Sequence, residues 1–293
     1  IRVTEKGRVL IGRGRPEAGR KKADLSHDRK KNRALSSDQP DAFLVALEIM
    51  NPDGSIRPSM QAKYRQINAF VELLKPEIED VREKDRALSI VDCGCGSAYL
   101  TFALYHYLKT ILHLDVKVAG VDRNEELVEK TSGLRDRLGW GDLSFHVAQI
   151  GEYQPAEAPD LVLSLHACDT ATDEAIAQGV KWGSRGIVAA PCCQHELHRV
   201  LDSEVFRPLL RHGILRERLA DLLTDSVRAL AVQRMGYRTK VIEFIAPEFT
   251  PKNVMIQAVK TGEPGNPETE REYLALKKFW SVTPAIESML GGC

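Results

Sequence analysis

"VDCGCGSAYLTF", Val91–Phe102, decides the fold, because it joins two different patterns through a glycine-rich loop. The segment "ALSIVDCG" before the loop is short and apolar, which predicts a buried strand, and "YLTFALYHYLKTIL" after it predicts a helix. Gly94 and Gly96 lie between them, and glycines allow a tight turn and the close approach of a ligand. A strand, a glycine-rich turn and a helix in this order begin a βαβ unit, whose ligands bind where the strands end.

The downstream sequence alternates between strand and helix patterns. "VKVAGVD", "LSFHVAQI", "DLVLSLHA" and "GIVAAP" predict strands with helices among them, which indicates a parallel sheet covered on both faces. Near the end, residues 238–246 and 253–260 predict two more strands, with only "PEFTP" between "TKVIEFIA" and "KNVMIQAVK". That link is too short for a parallel crossover, which needs about a dozen residues, so this pair is antiparallel.

Three of the predicted strands end in polar residues that suit a nucleoside. Asp92 ends the first strand, and Asp122 ends the second, where a carboxylate can accept the hydroxyl protons of a ribose. Gln149 ends the third beside Ile150 and is placed to meet an adenine edge. Tyr99 stands where the dinucleotide fingerprint requires its third glycine, which weakens a dinucleotide interpretation, and no P-loop motif is present.

These residues resemble the class I S-adenosylmethionine (SAM) methyltransferases over roughly residues 86–260. In that family an acidic residue opens the glycine-rich loop, an acid ends the second strand, and an antiparallel hairpin closes a seven-stranded sheet. The resemblance implies an α/β, Rossmann-like fold and SAM as cofactor, with Asp92 near its methionine amino group and Asp122 on its ribose. The predicted cofactor-binding residues are Asp92, Gly94, Gly96, Ser97, Tyr99, Asp122, Arg123, Gln149 and Ile150.

The fourth and fifth strands end in "LHACDTATD" (165–173) and "PCCQHEL" (191–197), which lie on the same edge in the family topology. These motifs resemble a methyltransferase-like branch with bacterial and eukaryotic members, in which RNA is the suspected substrate. A family of tRNA ribose 2′-O-methyltransferases carries a related Cys-Cys-His-His segment. The resemblance therefore implies that the reaction takes place beside these two loops.

The cysteines and histidines there allow several interpretations. A zinc site needs about four ligands, and Cys-Cys-x-His-x-x-His is not a standard spacing, so no metal is predicted. Cys192 after Pro191 could attack a pyrimidine ring for cytosine-5 methylation, although the Pro-Cys of the fourth strand in those enzymes is absent. Buried structural thiols are a further alternative.

We favour a pocket that positions a nucleophile and removes one proton. His166 is the best general base, since imidazole changes its charge near neutral pH. Asp169 could orient His166 or hold the nucleophile, and His195 is a second base candidate. The candidate catalytic residues are His166, Asp169, Cys192 and His195.

The charge of the chain is distributed unevenly. The 293 residues have no net formal charge, but residues 1–33 hold twelve Lys/Arg against four acids. A basic arm on an acidic body attracts polyanions, so RNA is the predicted partner, with a solvated tail as the alternative. The other functions left open are a protein or small-molecule methyltransferase and a non-catalytic SAM- or RNA-binding module.

The organisation predicted from these patterns has three parts. Residues 1–80 form a basic and helical extension, including a hairpin that turns at Lys6-Gly7 and an amphipathic helix over 60–78. Residues 81–265 form the methyltransferase domain, and 266–293 form a helical, peripheral tail.

Two features indicate a cytoplasmic protein. No run approaches about 18 apolar residues, the length of a membrane span. Six cysteines lie in apolar or glycine-rich contexts, which favours a reducing compartment, and Cys93 and Cys95 are interpreted as small residues of the turn. The histidine of the first helix, His106, is expected to be structural. Six arginines of the later helices are expected to form a solvated face: Arg207, Arg211, Arg216, Arg218, Arg228 and Arg234.

Overall fold

The computed structural model describes residues 2–3, 9–10, 34–37, 39–165, 167–191, 194–243, 253–263 and 265–291. The chain divides into two compact units, 1–32 and 33–293. In the first unit, strands β1 and β2 pair antiparallel with Arg2 opposite Leu10, as the predicted hairpin requires, and its turn at Lys6-Gly7 lies outside the described residues. Most of the basic segment lies outside the described residues.

Strands and helices alternate through the larger unit. The strands of the chain are β1 (Arg2–Val3), β2 (Val9–Leu10), β3 (Leu88–Cys93), β4 (Val116–Asp122), β5 (Leu143–Val147), β6 (Leu161–Ser164), β7 (Gly186–Ala189), β8 (Tyr237–Glu243) and β9 (Val254–Lys260). The α-helices are α1 (Ala42–Ala46), α2 (Gln61–Val81), α3 (Tyr99–His106), α4 (Glu125–Leu138), α5 (Thr170–Lys181), α6 (Glu196–Val200), α7 (Arg207–Leu210), α8 (Gly213–Arg234), α9 (Pro267–Trp280) and α10 (Ala285–Met289).

Seven strands form one mixed sheet in the order β5-β4-β3-β6-β7-β9-β8. Strands β3 to β7 are parallel, and β9 runs antiparallel to both β7 and β8. The predicted seven-stranded sheet with a final antiparallel hairpin is therefore confirmed. The chain reverses its direction of travel across the sheet between β3 and β6, which is the switch point where ligands of such sheets bind.

Helix α2 belongs to the same core as the sheet. Its apolar stripe includes Tyr64, Ile67 and Phe70, all fully buried, and the helix packs against α3 and β9. The division of the chain therefore falls at residue 32, whereas we expected a boundary at residue 80. The expected boundary at 265 has no counterpart either, since α9 and α10 pack on α8 and α5.

Local differences from the sequence patterns are small. The helix predicted over 99–112 is α-helical only to His106 and continues as a π-helical turn over Tyr107–Ile111. His106 is buried beside Asp41, at 2.8 Å between Nε2 and Oδ2, which fits its expected structural role. Among the helices that the structure describes, none combines the length and the apolar character of a membrane span.

The prediction of a solvated arginine face is wrong for Arg228. Its residue exposure is 1%, and its guanidinium lies between two carboxylates. The sequence misled because Arg228 shares α8 with exposed residues such as Arg218, while its own position on the helix faces the core. Arg234 also departs from the expectation, since its side chain is mostly buried against Glu270.

Candidate functional site

The turn between β3 and α3 has the backbone geometry that its glycines allow. Gly94 has φ +71° and Gly96 φ +55°, in the left-handed region that favours glycine. A Cβ at Gly94 would lie 3.2 Å from the Cβ of Ala167, whereas a Cβ at Gly96 would meet no atom within 4 Å. The turn therefore packs closely on the loop after β6 at Gly94 and leaves open space at Gly96.

Asp92 is a buried carboxyl with one unused oxygen. Thr101 Oγ1 donates to its Oδ2 at 2.5 Å, while Oδ1 has no hydrogen-bond partner among the described residues. The pKa of Asp92 is raised to about 7, mainly because the carboxyl is buried; the Thr101 hydrogen bond lowers this pKa, and the nearby Asp122 contributes to raising it. A buried carboxyl of this kind is stabilised in its charged form by a cation, and the amino group of a ligand could supply one.

Asp122 ends β4 beside the same turn. The Gly96 N–H donates to its Oδ2 at 2.8 Å, and the Asn124 N–H donates to its Oδ1 at 2.9 Å. These bonds fix the half-buried carboxylate at the edge of the sheet, and each oxygen keeps a lone pair for a further donor. The hydroxyls of a ribose are donors of that kind.

A cleft of about 390 Å³ opens beside this carboxylate. Six of the nine predicted cofactor residues line it: Gly94, Gly96, Asp122, Arg123, Gln149 and Ile150. The other three do not line it: Asp92 is buried, Ser97 is exposed, and the half-buried Tyr99 packs under Lys63 Nζ, which lies 4.5 Å from its ring centroid. An open glycine turn, a buried unpaired carboxyl oxygen and a second carboxylate fit a molecule with an amino acid end and a ribose, as SAM has.

A larger cavity, of about 530 Å³, lies elsewhere on the sheet. It covers one face of β3, β4 and β5, with Ser89, Lys117 and His146 in its lining. Its lining contains neither the glycine turn nor Asp122, whereas the lining of the smaller cleft contains both. We therefore place the candidate site in the smaller cleft, at the switch point, on chemical grounds.

The loops after β6 and β7 meet at the same edge. Asp169 Oδ1 accepts hydrogen bonds from the backbone N–H groups of His195 at 2.9 Å and Glu196 at 3.2 Å. The side chain of His195 is exposed, and Cys168 is exposed and lines the cleft. The sequence analysis predicted that these two loops lie together. The Asp169 carboxylate holds the backbone of the second loop, whereas its predicted role in orienting His166 stays a prediction.

Two of the four candidate catalytic residues, His166 and Cys192, lie outside the described residues. Their described chain neighbours Leu165, Ala167 and Pro191 are buried. The roles of all four residues remain predictions.

The cysteines of the turn are enclosed. Cys93 is the last residue of β3, Cys95 follows Gly94, and both are almost fully buried. Burial is the main cause that raises the pKa of each thiol. Both are therefore poor nucleophiles and poor metal ligands. In the described part of the chain, no group of three or more Cys, His, Asp or Glu side chains is arranged to hold a metal ion.

Two residues of the site were missed by the sequence analysis. Thr101 lies in the first turn of α3, and its hydroxyl orients Asp92. Glu174, on α5, lines the cleft and accepts a hydrogen bond from the Gly151 N–H at 3.1 Å. A Cβ at Gly151 would lie 2.6 Å from that carboxylate, so this glycine was a usable signal of a close approach.

Comparisons with known proteins identify a family. Residues 62–200 match a family model described as a methyltransferase domain. The chain is similar to magnesium protoporphyrin IX methyltransferase from Synechocystis PCC 6803 with bound SAM, at 15% identity and a TM-score of 0.42, over 75% of this chain and 92% of that chain. It is also similar to the CMeT domain of citrinin polyketide synthase, at 15% identity and a TM-score of 0.43, over 77% and 60% of the two chains.

A third similar structure is an rRNA methylase from Streptococcus thermophilus, at 13% identity and a TM-score of 0.40, over 68% of this chain and 97% of that chain. No curated protein matches the sequence. The family match spans α2 to α6, and the described sheet adds the antiparallel hairpin β8–β9 that closes the class I fold. Residues 62–200 thus match the methyltransferase-domain family model, and the chain is a SAM-dependent methyltransferase of class I fold.

Proposed function

We propose that this enzyme methylates RNA, by removal of one proton and in-line transfer of the methyl group. The observation that carries the choice of RNA is the excess of cations in residues 1–33, twelve Lys/Arg against four acids in a chain of zero net charge. Neutralising phosphates releases counterions, and this release supplies sequence-independent affinity for nucleic acid. In this proposal the basic segment binds the RNA, and the residues at the edge of the sheet carry out the methyl transfer.

The cofactor side of the reaction is assigned to the cleft. Asp92 would pair with the amino group of SAM, the Gly94–Gly96 backbone would lie along its body, and Asp122 would accept from its ribose hydroxyls. Gln149 and Ile150 would lie beside the adenine. Bound SAM supplies an electrophilic methyl group on a sulfonium, so the protein residues have to position the acceptor and take up its proton.

The substrate side is assigned to the loops after β6 and β7. An imidazole nitrogen of His166 would take the proton from the attacking oxygen or ring nitrogen as the new bond to the methyl carbon forms. His195 is the second candidate for this role, because its side chain is exposed at the same edge. Asp169 would hold the second loop in place through its bonds to the His195 and Glu196 N–H groups.

Transfer of labelled methyl groups tests the proposal. The protein is incubated with methyl-labelled SAM and with RNA, protein and small-molecule fractions of a cell extract, and the label is then mapped. We expect label in the RNA fraction, and a His166→Ala variant with turnover reduced by roughly 10²–10⁴-fold and unchanged SAM binding.

Label confined to the protein or small-molecule fraction would contradict RNA as substrate. Label on C5 of cytosine, lost in Cys192→Ala but retained in His166→Ala, would instead support the thiol mechanism. SAM binding without label in any fraction would indicate a binding module.

A further inference from the structure

The reaction edge is supported by a buried guanidinium. We propose that Arg228 is a positioning residue, which fixes the loop after β6 and the loop after β7 relative to each other and thereby orients the groups that carry out methyl transfer. This inference deepens the proposed function and rests on it. It assigns a role to an arginine of α8 that the sequence analysis placed wrongly on a solvated face.

Arg228 binds both the end of the first loop and the beginning of α5, the helix that follows it. Its Nε and Nη2 donate to the two oxygens of Asp173 at 2.9 and 2.6 Å. Nη2 also donates to the backbone carbonyl of Asp169 at 2.9 Å. The planar fork of a guanidinium makes such paired bonds in a fixed geometry, which a lysine cannot reproduce. The position of the Asp169 backbone is therefore set from α8.

The second loop is reached by two routes. Directly, the Asp169 carboxylate accepts from the His195 and Glu196 N–H groups. In parallel, Arg228 Nη1 donates to Asp225 Oδ1 at 3.3 Å, and the same oxygen accepts from Gln194 Nε2 at 2.9 Å. Both routes end within the segment that follows Cys192-Cys193.

Asp169 adopts a backbone conformation that needs such support. Its φ is +55° and its ψ −129°, outside the regions that residues other than glycine usually occupy. Conformations of this kind persist only where the surroundings hold them, and they concentrate at functional sites. The bonds from Arg228, His195 and Glu196 hold it, together with the Thr172 N–H, which donates to the Asp169 carbonyl at 3.2 Å.

A contribution to stability alone is a poor explanation of this buried network of hydrogen bonds and ion pairs. Arg228, Asp173 and Gln194 are almost fully buried, and Asp225 is nearly so. A buried ion pair adds little net stability, since the cost of desolvation offsets the attraction. The directional bonds of such an ion pair do, however, fix the helices and loops that carry its residues in one relative arrangement. Transfer in line needs such definition, because a displacement of about 1 Å at the reacting atoms can cost about 10²-fold in rate.

The test compares Arg228→Lys and Gln194→Leu with an exposed control on the same helix, Arg218→Lys. Arg228→Lys keeps the positive charge between the carboxylates but loses the fork, and Gln194→Leu cuts the second route while keeping the ion pairs. For each variant, kcat for methyl transfer from labelled SAM to total RNA, the SAM Kd by calorimetry, and hydrogen exchange of the His195 and Glu196 amides are measured below its Tm.

We expect kcat to fall by up to about 10²-fold in Arg228→Lys and less in Gln194→Leu. The SAM Kd should change much less than kcat, because most residues that line the cofactor cleft follow β3, β4 and β5, and only Ala167, Cys168 and Glu174 belong to the loop and helix after β6. The two amides should exchange faster in both variants, and Arg218→Lys should match the wild type in every measurement. A structural role alone would lower Tm without separating kcat from Kd.

Wild-type kcat and amide exchange in a folded Gln194→Leu or Arg228→Lys protein would overturn the inference, as would a loss of activity that only follows the unfolded fraction. If the wild type transfers no label to RNA, the proposed function fails. In that case, the exchange rates of the His195 and Glu196 amides still test whether Arg228 couples the two loops, independently of the substrate.

Discussion

At the scale of single residues, Asp92 carries the most information. It combines complete burial, a pKa raised to about 7 and an oxygen without a hydrogen-bond partner among the described residues. In a structural residue this combination is costly, because a buried carboxylate that lacks a counter-charge destabilises the fold. The cost is explained if a cationic ligand completes the site.

The unliganded protein should therefore lose stability as the pH rises through 7. The folded-state pKa of Asp92 lies above the unfolded value, so its contribution is complete in acid and is lost as pH rises through about 7. Asp92→Asn removes this titration and should raise Tm at pH 8 relative to the wild type, with an effect on the order of 1.4 kcal/mol for each unit of the pKa difference.

Thermal unfolding at pH 5 and pH 8, with and without SAM, measures this effect. SAM should stabilise the wild type more at pH 8 than at pH 5 and should have little effect on Asp92→Asn. Parallel pH profiles for the two proteins would show that Asp92 does not titrate as described.

At the scale of helices and strands, local sequence patterns were sufficient to predict most elements. The glycine turn, the parallel strands and the β8–β9 hairpin follow from apolar runs, glycine positions and the length of one link. Contacts between distant parts of the chain were not predictable in this way. Arg228 and Asp173 are 55 positions apart, and no periodicity distinguishes an arginine that faces the core from one that faces solvent.

The same limit applies to the site. Asp92, Asp122 and Gly96 could be found because strand ends of a parallel sheet share one edge. Thr101 could not, because its role depends on the orientation of α3 against that edge, and for Glu174 the sequence offered only the indirect signal of Gly151. Helix α2 was recognised as amphipathic, yet its membership in the core became evident only when its stripe was seen to pack on α3 and β9.

At the scale of the whole molecule, the two compact units suggest a division of labour. Deletion of residues 1–32 removes most of the basic excess and leaves the residues of the cleft in place. We expect the deletion to weaken RNA binding and to flatten its dependence on salt, by about 0.7 in slope for each phosphate of a single strand that the protein no longer neutralises. Kd values for RNA at several salt concentrations, and for SAM, measure both effects. An unchanged slope would exclude the basic segment as the part that binds RNA.

The central claim is that the cofactor lies at the switch point of the sheet, between Asp92 and Asp122. A crystal structure of the protein with S-adenosylhomocysteine tests it most directly. The claim predicts the amino group of the ligand beside Asp92 Oδ1 and the ribose hydroxyls on the Asp122 carboxylate. Ligand bound in the cavity over Ser89, Lys117 and His146, or a cleft closed to it, would contradict the claim.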